Sequence, residues 1–367
     1  MIRTIEAKVR EGQRLSTADA SYLLGDAPLM DLGALANEVR FERHPDSVVT
    51  YVVDTNLNYT NLCDAYCSFC AFYRPHTSTA PDAYTHTVDE MLERMAAAVE
   101  MGCTTVLMQG GLNPELPFDY YTDMVRATRE RFPGLTPHFW SAPEVYEMAM
   151  VSGLSYDEVM AALFAAGQRT FPGGGAEVLT NRVRDVISPL KMDADEWIAV
   201  HRAAHLAGVR STATMMYGHV ETDDDLVEHL SRVRDLQDET DGFTAFIPWS
   251  FAPGGTPLGR KLKGKRASAN RYLRILAASR LFLDNVDHVD ASWFSEGKKV
   301  GQVALHFGAD DFGGTLFEEN VMQEAGHYAR TSIAETQTMI REAGFVPAQR
   351  NSFYEILRTF DETPNGA

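Results

Sequence analysis

Short apolar runs alternate with longer amphipathic segments along most of the chain. The runs are rich in β-branched and aromatic residues, and they predict strands at 48–57, 104–108, 137–140, 169–171, 211–217, 243–249, 289–294 and 303–307. Apolar residues at helical spacing predict helices between them, at 88–101, 120–132, 156–166, 194–206, 224–236 and 272–284. Eight strand–helix alternations indicate parallel βαβ units, and their number favours a (β/α)8 barrel.

Residues at the segment ends support this α/β interpretation. Thr222 precedes three aspartates, as an N-cap residue precedes an acidic first turn. Gly102, Gly167 and Gly208 each follow a helical pattern, where C-terminal glycines are common. A doubly wound sheet is the alternative, but the glycine fingerprint expected after its first strand is missing.

The segments outside the eight alternations predict three parts of the chain. Residues 1–44 read as an N-terminal helical cap, 45–330 as the TIM-type barrel and 331–367 as a C-terminal extension. We expect a helix at 333–343 within the extension, and a disordered tail at 361–367.

Composition excludes several classes of partner. The chain has 367 residues, 45% of them hydrophobic, which is enough for a large core, but no apolar run is long enough to cross a bilayer. The first residues lack the basic-then-apolar pattern of a secretion signal, so we expect a cytoplasmic protein. The net charge of −18 argues against nucleic acids and anionic membranes as partners.

Three of the four cysteines stand close together. Cys63, Cys67 and Cys70 have the spacing C-x3-C-x2-C directly after the first predicted strand, whereas Cys103 stands alone before the second and reads as a small buried hydrophobe. Such a cluster, in a chain without a secretion signal, indicates metal chemistry rather than disulfides. A zinc site completed by His76 or His86 is the alternative, but the second cysteine pair usual in structural zinc sites is missing.

Three thiolates at this spacing favour an iron–sulfur cluster. Soft thiolate ligands suit iron, and three of them hold a [4Fe–4S] cubane while leaving one iron without a protein ligand. An open coordination position is how catalytic metal sites bind a reactant. An electron-transfer or iron-sensing protein would need a fourth ligand, and Cys103 lies before a strand rather than after one.

Several segments carry a resemblance to a known superfamily. The cysteine motif, with Phe69 before the third cysteine, is similar to the C-x3-C-x-aromatic-C signature of radical S-adenosylmethionine (SAM) enzymes. The similarity extends over 58–74 (NYTNLCDAYCSFCAFYR), 107–114 (LMQGGLNP), 171–179 (FPGGGAEVL), 212–219 (TATMMYGH), 242–250 (GFTAFIPWS), 291–293 (ASW) and 307–320 (FGADDFGGTLFEEN). Together these resemble the branch that contains aminofutalosine synthase, the deazaflavin-forming FO synthase subunits and the futalosine-pathway cyclases of menaquinone biosynthesis.

The resemblance implies a cofactor, a reaction and two partners. SAM would bind the open iron and be cleaved to a 5′-deoxyadenosyl radical, with Phe69 and Tyr73 beside it. For the cyclases, whose motifs match best, the substrate is dehypoxanthine futalosine and the reaction closes a carbon–carbon bond onto the benzoate ring. A low-potential flavodoxin or ferredoxin would supply the electron. The segment 75–87 (PHTSTAPDAYTHT) departs from the linker expected after the motif.

The remaining candidate residues follow the other predicted strands, where barrel chemistry lies. They are Gln109, Gly110, Gly111, Ser141, Glu177 and Arg182 for binding SAM, and Glu177, His219 and Glu319 as catalytic acids or bases. Glycines allow close backbone approach, and Glu177 and Arg182 offer charged hydrogen-bonding groups. His219 has a hydrogen-bonded structural role as its alternative. His201 and His205 lack the glutamate of a zincin helix and read as surface residues.

Overall fold

The computed structural model describes residues 1–361 and contains sixteen helices and eleven strands in that part. The helices are α1 (Ile2–Arg10), α2 (Thr17–Gly25), α3 (Leu29–Arg43), α4 (Val88–Glu100), α5 (Phe118–Arg131), α6 (Ala142–Ser152), α7 (Tyr156–Ala166), α8 (Asn181–Ile187), α9 (Ala194–Leu206), α10 (Asp223–Thr240), α11 (Pro257–Lys261), α12 (Ala269–Phe282), α13 (Trp293–Glu296), α14 (Lys298–Ala304), α15 (Val321–Glu324) and α16 (Ile333–Glu342). The strands are β1 (Val48–Val52), β2 (Asp54–Leu57), β3 (Thr105–Met108), β4 (Thr136–Phe139), β5 (Thr170–Phe171), β6 (Arg210–Tyr217), β7 (Phe243–Ser250), β8 (His288–Val289), β9 (Asp311–Gly314), β10 (Val346–Arg350) and β11 (Ile356–Thr359). Among the helices of residues 1–361, none combines the length and the apolar character that crossing a membrane requires.

The strands form a curled parallel sheet that confirms the predicted TIM-type architecture. Seven parallel strands run in the order β2-β3-β4-β5-β6-β7-β8, and a second sheet runs β11-β10-β1-β9. The two sheets share the nearly continuous segment β1–β2, and a parallel bridge between Asp290 and Asp311 joins β8 to β9. Because β9 pairs in parallel with β1, this bridge closes the ring of strands. The loops that follow strands β2 to β7 therefore all lie on one face of the barrel, at the carboxyl ends of the strands.

Most predicted strands are confirmed, with local differences. The predicted strand 48–57 is interrupted at Val53 and forms β1 and β2. The predicted strand 289–294 ends early, because the chain turns into helix α13 at Trp293. The predicted helices and the N-cap at Thr222 are confirmed, and the Thr222 side chain accepts a hydrogen bond from the Asp225 N–H.

The predicted eighth strand at 303–307 is wrong. Alternating Val303, Leu305 and Phe307 imitate a strand, but this segment is the end of α14 and a turn. The eighth position of the ring is filled instead by β9, whose sequence DFGG has no apolar alternation. Pairing with β1, rather than the intrinsic preference of its residues, makes this segment a strand.

Residues 1–44, predicted to be helical, contain three helices, and these pack against the barrel. α3 lies against α12, and a Cβ on Gly33 would overlap the ring of Phe307. The buried Arg40 guanidinium donates to the carbonyl oxygens of His44, Asp46 and Val48, which ties the end of α3 to the start of β1.

The division into cap, barrel and extension stays a prediction. In the predicted extension, α16 confirms the expected helix, but β10 and β11 have no counterpart among the predicted strands. β10 pairs in parallel with β1, so this part of the chain continues the barrel sheet. The expected disordered tail at 361–367 lies outside the described residues, apart from Asp361.

A buried ion pair holds β10 to β9. The Arg350 guanidinium donates to both carboxylate oxygens of Asp311, from Nε at 2.5 Å and from Nη2 at 2.8 Å, and the Thr50 hydroxyl donates to the same carboxylate. Arg350 and Asp311 are 5% and 0% exposed, so water screens neither charge.

Replacing Asp311 with alanine should destabilise the protein by about 3–5 kcal/mol, because the Arg350 charge would remain buried with a much weaker counter-charge. Urea unfolding followed by circular dichroism measures the effect. The matched control is Asp123→Ala in the exposed pair with Arg126, where we expect a change below about 1 kcal/mol. Equal losses in the two variants would contradict the importance assigned to the buried pair.

Candidate active site at the carboxyl ends of the strands

The three clustered cysteines lie in residues 58–74, the cysteine loop, which folds back on itself after β2. The Cys63 N–H donates to the Arg74 carbonyl at 2.8 Å, and the Arg74 N–H donates to the Asn61 carbonyl at 2.7 Å. The Arg74 guanidinium also donates to the carbonyls of Ala71, Phe72 and Tyr73, which fixes the end of the loop. Cys63, Cys67 and Cys70 all line one cavity of about 380 Å³.

The environment of these thiols suits metal ligation. All three are unbridged, and burial raises the pKa of each, that of Cys67 to about 12. Without a metal, the buried thiols therefore stay protonated, whereas a bound cation would favour the thiolates.

The spacing of the sulfurs does not suit a single zinc ion. Tetrahedral zinc holds its thiolates at about 2.3 Å, which puts them about 3.8 Å from one another. Among the described residues, the groups of potential ligand atoms that all lie within 4.8 Å of one another do not include these cysteines. The alternative ligands His76 and His86 pair with Asp64 and Arg94 and do not line the cavity. The donor set thus fits a multi-iron cluster better than zinc.

The cysteine loop is attached to the end of β3 by a glycine pair. The Gly111 N–H donates to the Thr60 carbonyl at 2.9 Å, and the Asp64 N–H donates to the Leu112 carbonyl at 3.0 Å. A Cβ on Gly111 would overlap the Leu62 carbonyl, and one on Gly110 would overlap the Tyr59 ring. Both glycines line the cavity as predicted, but they are also required for the cysteine loop to approach the sheet.

A buried carboxyl supports the same region from α6. Glu144 accepts hydrogen bonds from the Gly110 N–H at 3.0 Å and from the Ser141 N–H and hydroxyl at 2.6 Å each. Burial raises the pKa of Glu144 to about 7, against the effect of these hydrogen bonds. The predicted SAM ligand Ser141 lines the cavity, but its hydroxyl proton is directed to Glu144.

A buried ion pair lines the cavity. Glu177 follows β5 at a positive φ of 43° and pairs with Lys191, and both line the cavity. Burial alone would raise the pKa of Glu177, but the charges of Lys191 and Arg184 outweigh it and lower that pKa. The Lys191 ammonium lies 5.7 Å from the centre of the Phe69 ring, beside the cysteines. Lys191 thus places a positive charge where thiolates would concentrate negative charge.

The predicted residues Gln109, Phe69, Tyr73 and Glu319 also line the cavity. A Cβ on Gly174 would overlap the Gln109 amide, so the glycine-rich loop after β5 lies directly against the end of β3. Both carboxylate oxygens of Glu319 accept from the Met322 N–H at 3.0 Å, and burial raises the pKa of Glu319.

Two predicted residues, Arg182 and His219, do not line the cavity. The Arg182 guanidinium is half-exposed and pairs with Asp225. The His219 side chain is buried, with Nε2 2.9 Å from the Met216 carbonyl and Nδ1 accepting from the Val220 N–H at 2.8 Å. Both side chains therefore bond to neighbouring groups outside the cavity. Their positions do not support the predicted roles in SAM binding and catalysis.

Sequence reasoning missed the polar inner end of the cavity. Asp54, His138, Asp290, Arg350 and Tyr354 line it, from strands or from the segment after β10. The Tyr354 hydroxyl donates to Asp290 at 2.9 Å. Burial, followed by the charge of Asp311, raises the pKa of Asp290 well above its usual range, and burial raises that of Asp54 to about 6. No local motif marks these residues, because they meet only when the ring of strands closes.

A parallel barrel with three cysteines after its first strand, facing a glycine-lined cavity, defines the class of radical SAM enzymes. Residues 57–233 match the family model of the radical SAM superfamily, and residues 240–363 match that of the CofH/MqnC C-terminal region. The chain belongs to the radical SAM superfamily, and within it to the enzymes that carry this C-terminal region.

Relatives with different activities are similar over nearly the whole chain. The cyclic dehypoxanthine futalosine synthases of Halalkalibacterium halodurans and Streptomyces coelicolor are 43% and 41% identical, with 96% and 99% of this chain and 94% and 91% of theirs covered. The 5-amino-6-(D-ribitylamino)uracil–L-tyrosine 4-hydroxyphenyl transferase of Methanoculleus marisnigri is 41% identical, with 97% and 98% covered. Methylornithine synthase has the same fold, with a TM-score of 0.72 at 19% identity over 94% of this chain and 97% of that one.

Replacing Gly111 with alanine should reduce the iron and sulfide retained after anaerobic reconstitution at least threefold, because the new Cβ would push the cysteine loop from β3. Iron and sulfide analysis, with circular dichroism as a check of folding, measures the effect. Gly134→Ala is the matched control, since nothing lies within 4 Å of a Cβ there. Full cluster content in Gly111→Ala would show that this close approach is not needed.

Proposed function

We propose that the enzyme is a cyclic dehypoxanthine futalosine synthase of the futalosine route to menaquinone. The observation that carries this proposal is the 43% and 41% identity to two such synthases over nearly the full length of the chain. The substrate would be dehypoxanthine futalosine, and the product its cyclic form.

The three cysteines would hold the cofactor. Cys63 and Cys67 are buried, Cys70 is half-buried, and all three are unbridged and line one cavity, which supports their assignment as ligands of a [4Fe–4S] cluster. With SAM, this group supplies a 5′-deoxyadenosyl radical that takes the hydrogen from C4′ of the substrate ribose, so that the sugar carbon can close a ring onto the benzoate. The protein's own task is to hold that C–H bond in place and to exclude water.

The groups between the cysteines and the inner end would bind SAM. Gln109, Gly110 and Gly111 bring backbone close to the cavity, and Glu177 with Lys191 brings two opposite charges to it. A carboxylate and an ammonium suit the amino and carboxylate groups of a zwitterionic ligand, or the hydroxyls of its ribose. Phe69 and Tyr73 add aromatic surface, and Ser141 adds an oxygen that can still accept a hydrogen bond.

The inner end would bind the substrate. Arg350 is neutralised by Asp311, and burial raises the pKa of Asp290 and that of Asp54, the latter to about 6, so this end offers weakly acidic carboxyl groups beside a paired guanidinium. Such groups suit the hydroxyls of a ribose, which both donate and accept hydrogen bonds. The cavity volume of about 380 Å³ lies within the range of about 300–1,000 Å³ usual for small-molecule sites.

One of the three candidate bases is favoured for removing the final proton. Restoring the aromatic ring after closure requires loss of one proton and of one electron, and the electron would return to the cluster held by the three cysteines. Glu177 is held in its ion pair and His219 lies outside the cavity, whereas Glu319 lines it with a raised pKa. Burial raises that pKa towards neutrality, which suits proton transfer. We therefore favour Glu319 as the acceptor.

A second candidate is the 4-hydroxyphenyl transferase reaction, which joins tyrosine to a ribitylaminouracil. It is favoured by the 41% identity over 97% of the chain to the enzyme with that name. Both reactions need a polar cavity and a SAM-derived radical, so the cavity alone does not separate them.

Incubating the reconstituted enzyme anaerobically with SAM and dithionite, and with each substrate set in turn, separates the two. We expect cyclic dehypoxanthine futalosine, methionine and 5′-deoxyadenosine in equal amounts from dehypoxanthine futalosine, and no coupled product from tyrosine with 5-amino-6-(D-ribitylamino)uracil. Mass spectrometry detects the products. A coupled product without cyclisation would refute the proposed function in favour of the transferase. The control is Cys67→Ala, which should form neither product.

A further inference from the structure

One long segment of this acidic chain contains no acidic residue. The chain carries a net charge of −18, yet residues 242–283 contain eight lysines and arginines and no aspartate or glutamate. Five of the eight fall within Arg260–Arg266, in the sequence RKLKGKR, and all five are exposed. We call residues 260–266 the basic run. They are positively charged in a molecule that is negatively charged as a whole.

The basic run begins beside the cysteine loop. The Leu258 N–H donates at 2.8 Å to the carbonyl of Ser68, which stands between Cys67 and Cys70. Arg260 follows two residues later in the same short helix α11. The run is thus fixed to the stretch of chain that we propose to hold the cluster.

Within the part of the chain described, no carboxylate forms an ion pair with the cations of the basic run. In residues 1–361, Lys261, Lys263 and Lys265 form no ion pair, while Arg260 donates to the Gly255 carbonyl and Arg266 contacts His327. Many other exposed cations of the chain are paired, such as Arg10 with Glu38 and Arg202 with Glu239. These unpaired, exposed cations are therefore free to meet an external counter-charge.

Exposed apolar side chains lie on the other side of the cysteine loop. The Ser68 N–H and hydroxyl both donate to the Ile187 carbonyl, which places the segment 186–190 against the loop. Val186 and Leu190 of that segment are 43% and 66% exposed, and Tyr66 of the loop itself is 42% exposed. The Tyr66 ring packs edge-on against Tyr73, which lines the cavity. The acidic side chains nearby are Asp185, Asp64, which is paired with His76, and Asp82 and Glu324, which lie against Arg74 at the end of the loop.

We infer that the surface formed by the cysteine loop, segment 186–190 and the basic run docks a small acidic one-electron carrier protein. The inference rests on the proposed function, which needs an electron at the cysteines. Transient electron-transfer interfaces are small, with an apolar centre and a charged rim, and charge complementarity steers their formation. Against the overall charge of −18, an acidic carrier is repelled except at this surface, which would orient it towards the cluster.

The test compares two sets of charge reversals in the reconstituted full-length enzyme. The test variant is Lys261→Glu with Lys263→Glu and Lys265→Glu, and the control is Arg3→Glu with Arg126→Glu and Lys299→Glu, exposed cations on three other helices. Both change the net charge equally. The probe is an acidic bacterial flavodoxin, whose dissociation constant is measured by isothermal titration calorimetry at low and high salt.

The expected result is at least tenfold weaker flavodoxin binding in the test variant at low salt, with little remaining salt dependence, and less than a threefold change in the control. The apparent KM for reduced flavodoxin should rise by a similar factor, while 5′-deoxyadenosine formation with dithionite stays within twofold of the wild type. A triple change of the same lysines to glutamine should lie between wild type and the charge reversal.

Equal binding by wild type and test variant, or equal loss in test and control variants, would overturn the inference. So would binding of anionic phospholipid vesicles or of an oligonucleotide that depends on these lysines while flavodoxin binding does not. Failure of the proposed function is distinguishable, because the flavodoxin dissociation constant is measured without substrate and dithionite bypasses the carrier.

Discussion

The site depends on the close contact between the cysteine loop and the end of β3. Two backbone hydrogen bonds, from Gly111 to Thr60 and from Asp64 to Leu112, extend the pairing of β2 and β3 beyond the strands. That contact exists because residue 111 has no Cβ, since one would overlap the Leu62 carbonyl. The backbone of the barrel therefore positions Cys63 directly, and the fold of the loop then positions Cys67 and Cys70.

The electrostatics of the cavity change along its length. Buried thiols at the outer end need a positive counter-charge, and Lys191 stands beside them with Glu177 as its partner. At the inner end, the buried residues Asp54, Asp290 and Asp311 would repel one another if all three were ionised. Asp311 is neutralised by Arg350, and burial together with the charge of Asp311 raises the pKa of Asp290, which favours its uncharged form. The outer end thus gathers thiols around the Lys191 ammonium, and the inner end gathers carboxyl groups around the Arg350 guanidinium.

Local patterns predicted the barrel well where a strand is also an apolar run. β3, β6 and β7 are such runs, and the cysteine spacing identified the loop that follows β2. β9 could not be predicted, because Asp311–Gly314 becomes a strand only through its neighbours, while the alternating segment at 303–307 packs as a helix end and a turn. Propensity describes what a segment can form alone, and ring closure overrides it.

The same limit applies to the site residues. The glycines and cysteines were predictable because their chemistry needs a local spacing. Lys191 is fourteen residues from Glu177 and Arg350 is far from both, so only the fold brings them to the cavity. For Arg182 the sequence position misled. It follows the glycine-rich loop, which predicted a contact with SAM, but its ion pair with Asp225 holds it outside the cavity.

The most direct test of this account is electron paramagnetic resonance of the reduced, reconstituted enzyme with and without SAM. Three cysteine ligands leave one iron of a [4Fe–4S] cluster open, so SAM should bind it and shift the g values of the reduced cluster signal. A cluster signal that is identical with and without saturating SAM would contradict the account, because it would mean that no iron is open to SAM.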